Sequence, residues 1–410
     1  MRQFLPISSL LLGSFFLLFA GGVNSLILPV RGSAEGFSAL SLGLLGTGWA
    51  IGYVSGCLFT ARLVQRVGHI RAFSTLCSLA GIVILLQLVL LSAHTWILLR
   101  ALQGFCFAGA AMIVESWLSE RADPASRGRI FGIYTMVNLV ASTAGQLTLT
   151  LGDTNGYFFF VLGAIFYMLA LIPTAASSTQ SPKPLVSVRL DLKALWKNSP
   201  VAVFAVFMVG VSNASFGTLA AVYADRIGLA VSSVAIFASV PILIGAVSQI
   251  PVGFLSDRMD RRKVLVGVAS VALLADALFV FLAPESRWAN LALAGLFGGA
   301  IFALYPIIIA HANDHAEGNF IRISGGLLLV FGLGSIAGPL IAGWAMSTVG
   351  ERGLFMTTAV AHALMIAQAL WRIHRRAPVS TGDKTDFQPG PAGRATTPQT
   401  IAMSATDEDL

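Results

Sequence analysis

Charge is scarce in this chain. Asp, Glu, Lys and Arg make up 11% of the 410 residues, about half the share usual in a soluble domain. Cysteine is scarcer still. Cys57, Cys77 and Cys106 all fall inside apolar stretches, with neither a paired framework nor metal-ligand spacing, so they read as small packing residues. Signatures of covalent and nucleotide chemistry are missing too. There is no Gly-x-Ser-x-Gly elbow, no phosphate loop and no His-Glu-x-x-His helix, which argues against a hydrolase, a nucleotide-driven pump and a zinc enzyme.

What fills the space is apolar sequence, with 56% hydrophobic residues. Twelve stretches stand out, at 5–29, 39–61, 70–92, 95–118, 130–151, 156–175, 200–223, 232–256, 264–283, 288–310, 323–346 and 353–371. A helix of about 20 residues is roughly 30 Å long and matches the hydrocarbon layer. Lipid leaves backbone N–H and C=O groups to find partners within the protein, so spans are helices or closed barrels. These runs are too long and too evenly apolar for barrel strands. The expected fold class is therefore an all-α membrane protein with twelve transmembrane helices. The first run follows Arg2 but continues to Leu28, longer than a signal peptide's apolar core, and reads as a retained helix.

Lys and Arg fall unevenly between the runs. Arg62, Arg66, Arg71, Arg121, Arg127, Arg129, Lys193, Lys197, Arg258, Arg261, Arg262, Lys263, Arg322, Arg372 and Arg375 gather in one set of loops, and few basic residues lie in the other. This asymmetry predicts that both termini are cytoplasmic. It also accounts for the net charge of +7 through short clusters facing anionic lipid. The expected partners are a small-molecule solute and the bilayer, with no nucleic acid, and the chain is expected to be monomeric.

The polar stretch at 176–199 divides the runs six and six. The expected organisation is a bundle over 1–175, a cytoplasmic linker over 176–199, a second bundle over 200–376 and a disordered tail over 377–410. The halves read as repeats. Adding 193 carries Arg129 to Arg322, Gly132 to Gly325, Ser142 to Ser335 and Gly145 to Gly338, and adding 189 carries Asn24 to Asn213. Parallel repeats of this kind belong to transporters whose site lies near mid-membrane.

The sharpest motif follows the eighth run: Gly253-Phe254-Leu255-Ser256-Asp257-Arg258-Met259-Asp260-Arg261-Arg262. It resembles the loop signature of the major facilitator superfamily, Gly-x-Leu-Ala-Asp-Arg-x-Gly-Arg-Arg. The matching position after the second run reads Ala61-Arg62-Leu63-Val64-Gln65-Arg66-Val67-Gly68, with Gln65 where the family has an acid. The resemblance covers 5–376 and implies two pseudo-symmetric six-helix bundles that move a solute by alternating access. It implies gating roles for Asp257, Arg258, Arg261 and Arg66, and places Asn24 and Asn213 in spans lining the central cavity. The stretches Glu115-Ser116-Trp117-Leu118 and Leu304-Tyr305-Pro306 look like a bacterial subgroup, which implies the bacterial inner membrane.

The fourth run carries Arg100-Ala101-Leu102-Gln103-Gly104, similar to an Arg-x-x-x-Gly stretch associated in the family with proton coupling; a snorkelling arginine is the plainer alternative. Glu115 lies on the same helical face, roughly 22 Å along the axis. A carboxylate within a span must be paired, protonated or facing water, and such a group can alternate between charged and neutral forms. Glu115 and Arg100 are the expected proton-coupling pair, with an anchoring role near the boundary as the alternative for Glu115. Candidate solute contacts are Asn24, Gln103, Asn213, Tyr305, Trp49 and Gln249. Gly334, Gly338 and Pro339 are expected to permit close contact and bending during gating. Asp276 reads as structural, and His311 with His315 as polar packing more readily than a metal pair.

No cofactor is expected, with a proton gradient as the driving force. The function expected is secondary active transport, with efflux one possible direction. The rivals are a uniporter or importer without proton coupling, and a sensor that has lost transport.

Overall fold

A computed structural model describes residues 4–121, 127–175, 185, 190–316, 320–375, 379–380, 382, 384–391 and 396–404. Helices dominate. In chain order they are α1 (Phe4–Ala34), α2 (Ala39–Val67), α3 (His69–Val89), α4 (Ala93–Arg121), α5 (Arg127–Leu147), α6 (Phe158–Leu169), α7 (Leu171–Ala175), α8 (Leu192–Asn198), α9 (Pro200–Arg226), α10 (Val231–Arg258), α11 (Arg261–Leu282), α12 (Arg287–Asn313), α13 (Phe320–Val349), α14 (Gly353–Ile373) and α15 (Pro398–Ser404). Among the described residues eleven helices are long and apolar enough to span a bilayer, and the shorter segment Phe158–Pro173 takes the place of the twelfth. Large apolar side chains such as Leu98, Ile250 and Phe281 are more than 70% exposed, as suits a surface solvated by acyl chains.

Local sequence sets several helix starts. Ser199 accepts from the Ala202 amide at 3.2 Å, and Pro200 opens α9, a position where its missing N–H costs nothing. Asp260 caps α11 by accepting from the Arg262 amide at 3.0 Å. Asp191 does the same for α8, accepting from Ala194 at 3.0 Å.

The chain falls into two compact units. The first comprises Met1–Phe37, Gly48–Val188 and Gly393–Glu408; the second comprises Ser38–Thr47, Arg189–Ala392 and Asp409–Leu410. Two features lie at the expected boundaries. The first turns of α2 cluster with the second unit, where Thr47 Oγ1 donates to the Ile336 carbonyl at 2.9 Å. The expected linker at 176–199 lies mostly outside the described residues, but its end forms α8.

Each unit contains helix crossings of great closeness. In the first, α1 meets α5, and a Cβ placed on Gly22 or Gly145 would lie 2.3 Å from a carbonyl oxygen, that of Ser142 or Phe19 respectively. In the second, α9 meets α13, and a Cβ on Gly334 would lie 2.1 Å from the Phe207 oxygen. Small residues allow such approach where packing rather than a hydrophobic driving force holds helices together in lipid. Around these crossings the first unit buries Phe73, Trp96, Trp117 and Phe160. The second buries an aromatic cluster in which Phe279 and Phe355 stack at 3.8 Å.

Part of the stretch 377–410, expected to be disordered, takes up regular structure, and part of it lies outside the described residues. Pro398–Ser404 forms α15 in the first unit, and Thr397, Gln399, Thr400, Ile401 and Met403 are all buried. Upstream, in the second unit, Lys384 donates to the carbonyls of Ser256, Asp257 and Met259 at 2.5–3.3 Å. The composition of the tail is polar, yet Ile401 and Met403 supply apolar surface to bury, and Thr397-Pro398 is a helix-start signal.

Candidate functional site

Glu115 sits six residues before the end of α4 and is fully buried. Three hydroxyls donate to its carboxylate. Tyr134 Oη, from α5, reaches Oε1 at 2.9 Å, and Thr400 Oγ1 reaches the same oxygen at 2.9 Å. Thr397 Oγ1 donates to Oε2. All four residues belong to the first unit. A carboxylate has about four lone-pair positions, and hydroxyl donors there recover the solvation that burial removes.

The two threonines are themselves fixed by helix-capping geometry. Thr397 Oγ1 accepts from the Thr400 amide at 3.2 Å, and Thr400 Oγ1 accepts from the Thr397 amide at 3.1 Å. This reciprocal arrangement is a capping box with Thr at the third helical position. Tyr53 Oη adds a bond to the Thr396 carbonyl at 3.1 Å. Each threonine hydroxyl accepts a backbone proton while giving its own to Glu115.

A second polar cluster in the same unit joins three of the sequence candidates. Arg100 Nη1 donates to Gln103 Oε1 at 2.9 Å, one turn along α4. Its guanidinium lies 6.0 Å from the Trp49 ring, which in turn packs 4.9 Å from Tyr53. This placement follows from α2 and α4 running in close contact: a Cβ on Gly104 would fall 2.2 Å from the Trp49 carbonyl oxygen. Arg100 Nε and Gln103 Nε2 are buried with no partner. Arg100 and Glu115 thus have separate hydrogen-bond partners and do not pair directly. Asn24 is buried in α1 within electrostatic reach of Tyr167, although its amide meets no hydrogen-bond geometry.

In the second unit, Asn213 Nδ2 donates weakly to the Ile301 carbonyl at 3.5 Å, leaving Oδ1 buried and unsatisfied. Tyr305 packs edge-on to Phe331 at 5.2 Å, and its buried hydroxyl has no partner. Gln249 Oε1 accepts from the Gly390 amide at 2.8 Å. Buried polar atoms left without partners are uncommon in folded proteins, so Asn24, Gln103, Asn213 and Tyr305 are the candidates with donors or acceptors to spend on a solute.

The motif loop is held by its own ion pairs. Arg261 is buried and pairs with Asp314 at 2.8 Å, and more loosely with Asp257 at 3.4 Å. It also donates to Ser256 Oγ at 3.3 Å and to the Thr385 carbonyl. Asp257 accepts from the Phe387 amide at 3.1 Å. Helix capping falls to Asp260, which also receives two bonds from Arg262, at 2.8 and 3.0 Å. That pairing holds the Asp260 carboxyl below its ordinary range against the upward push of burial. Arg258 stacks on Phe254, and Arg66 is exposed in the last turn of α2. Gly334 and Gly338 serve the α9–α13 crossing within the helix that contains Pro339.

His311 and His315 pack edge to face at 5.2 Å. His315 Nδ1 lies 3.0 Å from the His311 carbonyl, and among the described residues no group of three metal-ligating side chains gathers anywhere.

Sequence reasoning missed Tyr134, Thr397 and Thr400. It also missed a buried chain in the second unit, where Asp276 is hydrogen-bonded to His362 at 2.7 Å and to Thr358 at 2.6 Å, and His362 to Ser212 at 3.0 Å. Asp276 bonds to two side chains of α14, and His362 carries the chain on to α9, positions too distant in sequence to be inferred.

The Major Facilitator Superfamily matches residues 10–317, and again 202–402. The chain belongs to this superfamily and is a multi-pass membrane transporter. It is 24% identical over 368 residues to an uncharacterized MFS-type transporter of Yersinia pestis (strain Pestoides F), covering 86% of this chain and 92% of that one. The uncharacterized MFS-type transporter YcaD of Salmonella arizonae is 25% identical over 361 residues, with the same coverage. In fold it resembles the crystal structure of a point variant of the nucleoside transporter NupG, with a TM-score of 0.76 at 13% identity, covering 90% of this chain and 100% of that one.

Proposed function

We propose that the chain is a proton-coupled secondary transporter of a small solute, with Glu115 as the proton-accepting group. The observation that carries this reading is a wholly buried carboxylate in a membrane span, held by neutral hydroxyls from Tyr134, Thr397 and Thr400. A group placed this way changes its interactions when it takes up a proton, and a protein shifts between states to the extent that they bind that proton differently. Arg100, Gln103 and Trp49 form the solute-recognition cluster of the first unit, and Asn213 and Tyr305 offer unpaired groups in the second. In this reading the halves alternate in access, Arg261 and Asp257 stabilise one state, and both termini face the cytoplasm across a bacterial inner membrane. The basic loops support that orientation.

The test is flux in proteoliposomes, using a solute found by thermal-shift screening of purified protein. Glu115→Gln is expected to abolish accumulation driven by a pH gradient while leaving solute exchange intact. Unchanged driven accumulation would remove Glu115 from coupling, whereas a wild type that equilibrates solute without accumulating it under a pH gradient would leave facilitated uniport.

A further inference from the structure

The occupant of the Glu115 site is the chain itself. Thr397 Oγ1 and Thr400 Oγ1 lie 3.1 Å apart, and each directs its proton to a different oxygen of the one carboxylate. Two neighbouring hydroxyls set side by side against a carboxylate reproduce how a vicinal diol of a sugar or polyol binds an acid. Tyr134 fills a further acceptor position from α5. The surroundings suit such a ligand. Burial of Thr397, Gln399, Thr400, Ile401 and Met403 shows that the fold admits a segment of this size beside Glu115, and no covalent cross-link ties it there. The attachment includes the hydroxyl bonds to Glu115 and the buried side chains of Ile401 and Met403, all non-covalent contacts that a competing solute could replace.

We infer that the Glu115 site takes a ligand bearing neighbouring hydroxyl groups, and that residues Thr396–Met403 are an internal ligand competing for it. The inference rests on reading the chain as a transporter of a small solute, and it adds a hydroxyl-bearing ligand at the Glu115 carboxylate and the self-blocking of that site. The capping box explains why the segment can serve. Reciprocal amide bonds hold the two hydroxyls at diol spacing before they meet the carboxylate, so little ordering cost remains to be met on docking. The segment therefore competes well at the high effective concentration that tethering provides.

The experiment uses the full chain in detergent and the carboxyl reagent N,N′-dicyclohexylcarbodiimide, with labelling at Glu115 read by peptide mass spectrometry. Wild type is expected to label slowly. Thr397→Val/Thr400→Val, which keeps the side-chain shape and removes both hydroxyls, is expected to label about tenfold faster, since two hydrogen bonds are lost. Hydrogen exchange at residues 400–403 should speed up alongside. In the double variant, millimolar ribitol is expected to slow labelling, and 1,5-pentanediol, with the same carbon chain and no neighbouring hydroxyls, is not. Equal labelling of wild type and variant, absence of labelling in both, or equal effects of the two alcohols would each overturn the inference. The outcome is independent of coupling: a Glu115→Gln chain that still accumulates solute sinks the proton role and leaves this result standing.

Discussion

Tyr134 Oη and Glu115 Oε1 are 2.9 Å apart, joining α5 to α4 inside the first unit. Both side chains are almost completely buried, so neither can exchange the other for water without opening the bundle. Tyr134→Phe keeps the ring packed and removes one donor. Losing a partner for a buried acceptor costs about 1–3 kcal/mol, so the variant should unfold at a lower temperature in detergent. Under the proposed function, transport driven by a pH gradient should also weaken, because Tyr134 helps to hold the Glu115 carboxylate in place. A flux profile identical to wild type would show that Tyr134 only stabilises the bundle.

The α9–α13 crossing makes a sharper stability prediction. A Cβ on Gly334 would meet the Phe207 oxygen at 2.1 Å and the Val211 nitrogen at 3.0 Å, both backbone atoms unable to swing aside. Gly334→Ala must therefore separate the helices, and overpacking of this kind costs about 1–3 kcal/mol or more. Gly217 lies on the same α9 with nothing within 4 Å of its Cβ position. Gly217→Ala should be neutral or stabilising by up to about 1 kcal/mol, from helix propensity alone. Thermal unfolding of the pair decides the matter; equal melting temperatures would show that the crossing is slack.

The contrast between these sites shows what the sequence could and could not disclose. Long apolar runs announced the helices because lipid imposes length and polarity on every span. Glu115 was legible for the same reason, as a charge where charge is costly. Tyr134 was not, since a tyrosine in a span is unremarkable until its partner is placed beside it. Thr397 and Thr400 were hidden by the polar composition around them, although Thr397-Pro398 is a start signal that a closer reading of the tail could have used. Asp276 and His362 are 86 residues apart, and only folding brings them together. The first turns of α2 group with the second unit through backbone contacts at Gly43 and Thr47, which hydropathy does not register.

Arg261 and Asp314 form a pair whose pH response can be worked out. Burial pushes the Asp314 carboxyl above its ordinary value, and Arg261 and Thr385 only partly oppose that push. A carboxyl whose pKa is raised by folding binds protons more tightly in the folded state. Its contribution is thus most favourable below the unfolded value of about 3.9 and declines as pH rises through the raised one. Arg261→Gln removes an opposing charge, so melting temperature should fall more steeply with rising pH than in wild type. At neutral pH the loss should reach about 3–5 kcal/mol, the cost of leaving a buried charge unpaired. Arg261→Gln/Asp314→Asn should recover most of it, because neither charge is then stranded. If single and double variants melt together at every pH, the ion pair is not what holds the loop.

Ser212, His362 and Asp276 stand in the order of a hydrolase relay, with Oγ to Nε2 at 3.0 Å and Nδ1 to Oδ2 at 2.7 Å. Hydrogen bonding alone would suggest a nucleophile, but all three residues, and Thr358 beside them, have no exposed surface. Attack requires a carbonyl within about 3–3.5 Å of the hydroxyl, and the enclosed site has Phe297 packed against His362 at 5.9 Å. The network instead satisfies a buried carboxylate and joins α9, α11 and α14. A fluorophosphonate probe should therefore leave Ser212 unlabelled in folded protein, and Ser212→Ala should be mild. Asp276→Ala should be severe, at about 3–5 kcal/mol, since His362 and Thr358 lose their common acceptor and the cavity gains nothing in return. Labelling of Ser212 under conditions that preserve the melting transition would show that the network opens to solvent, and a structural reading of these residues would then fail.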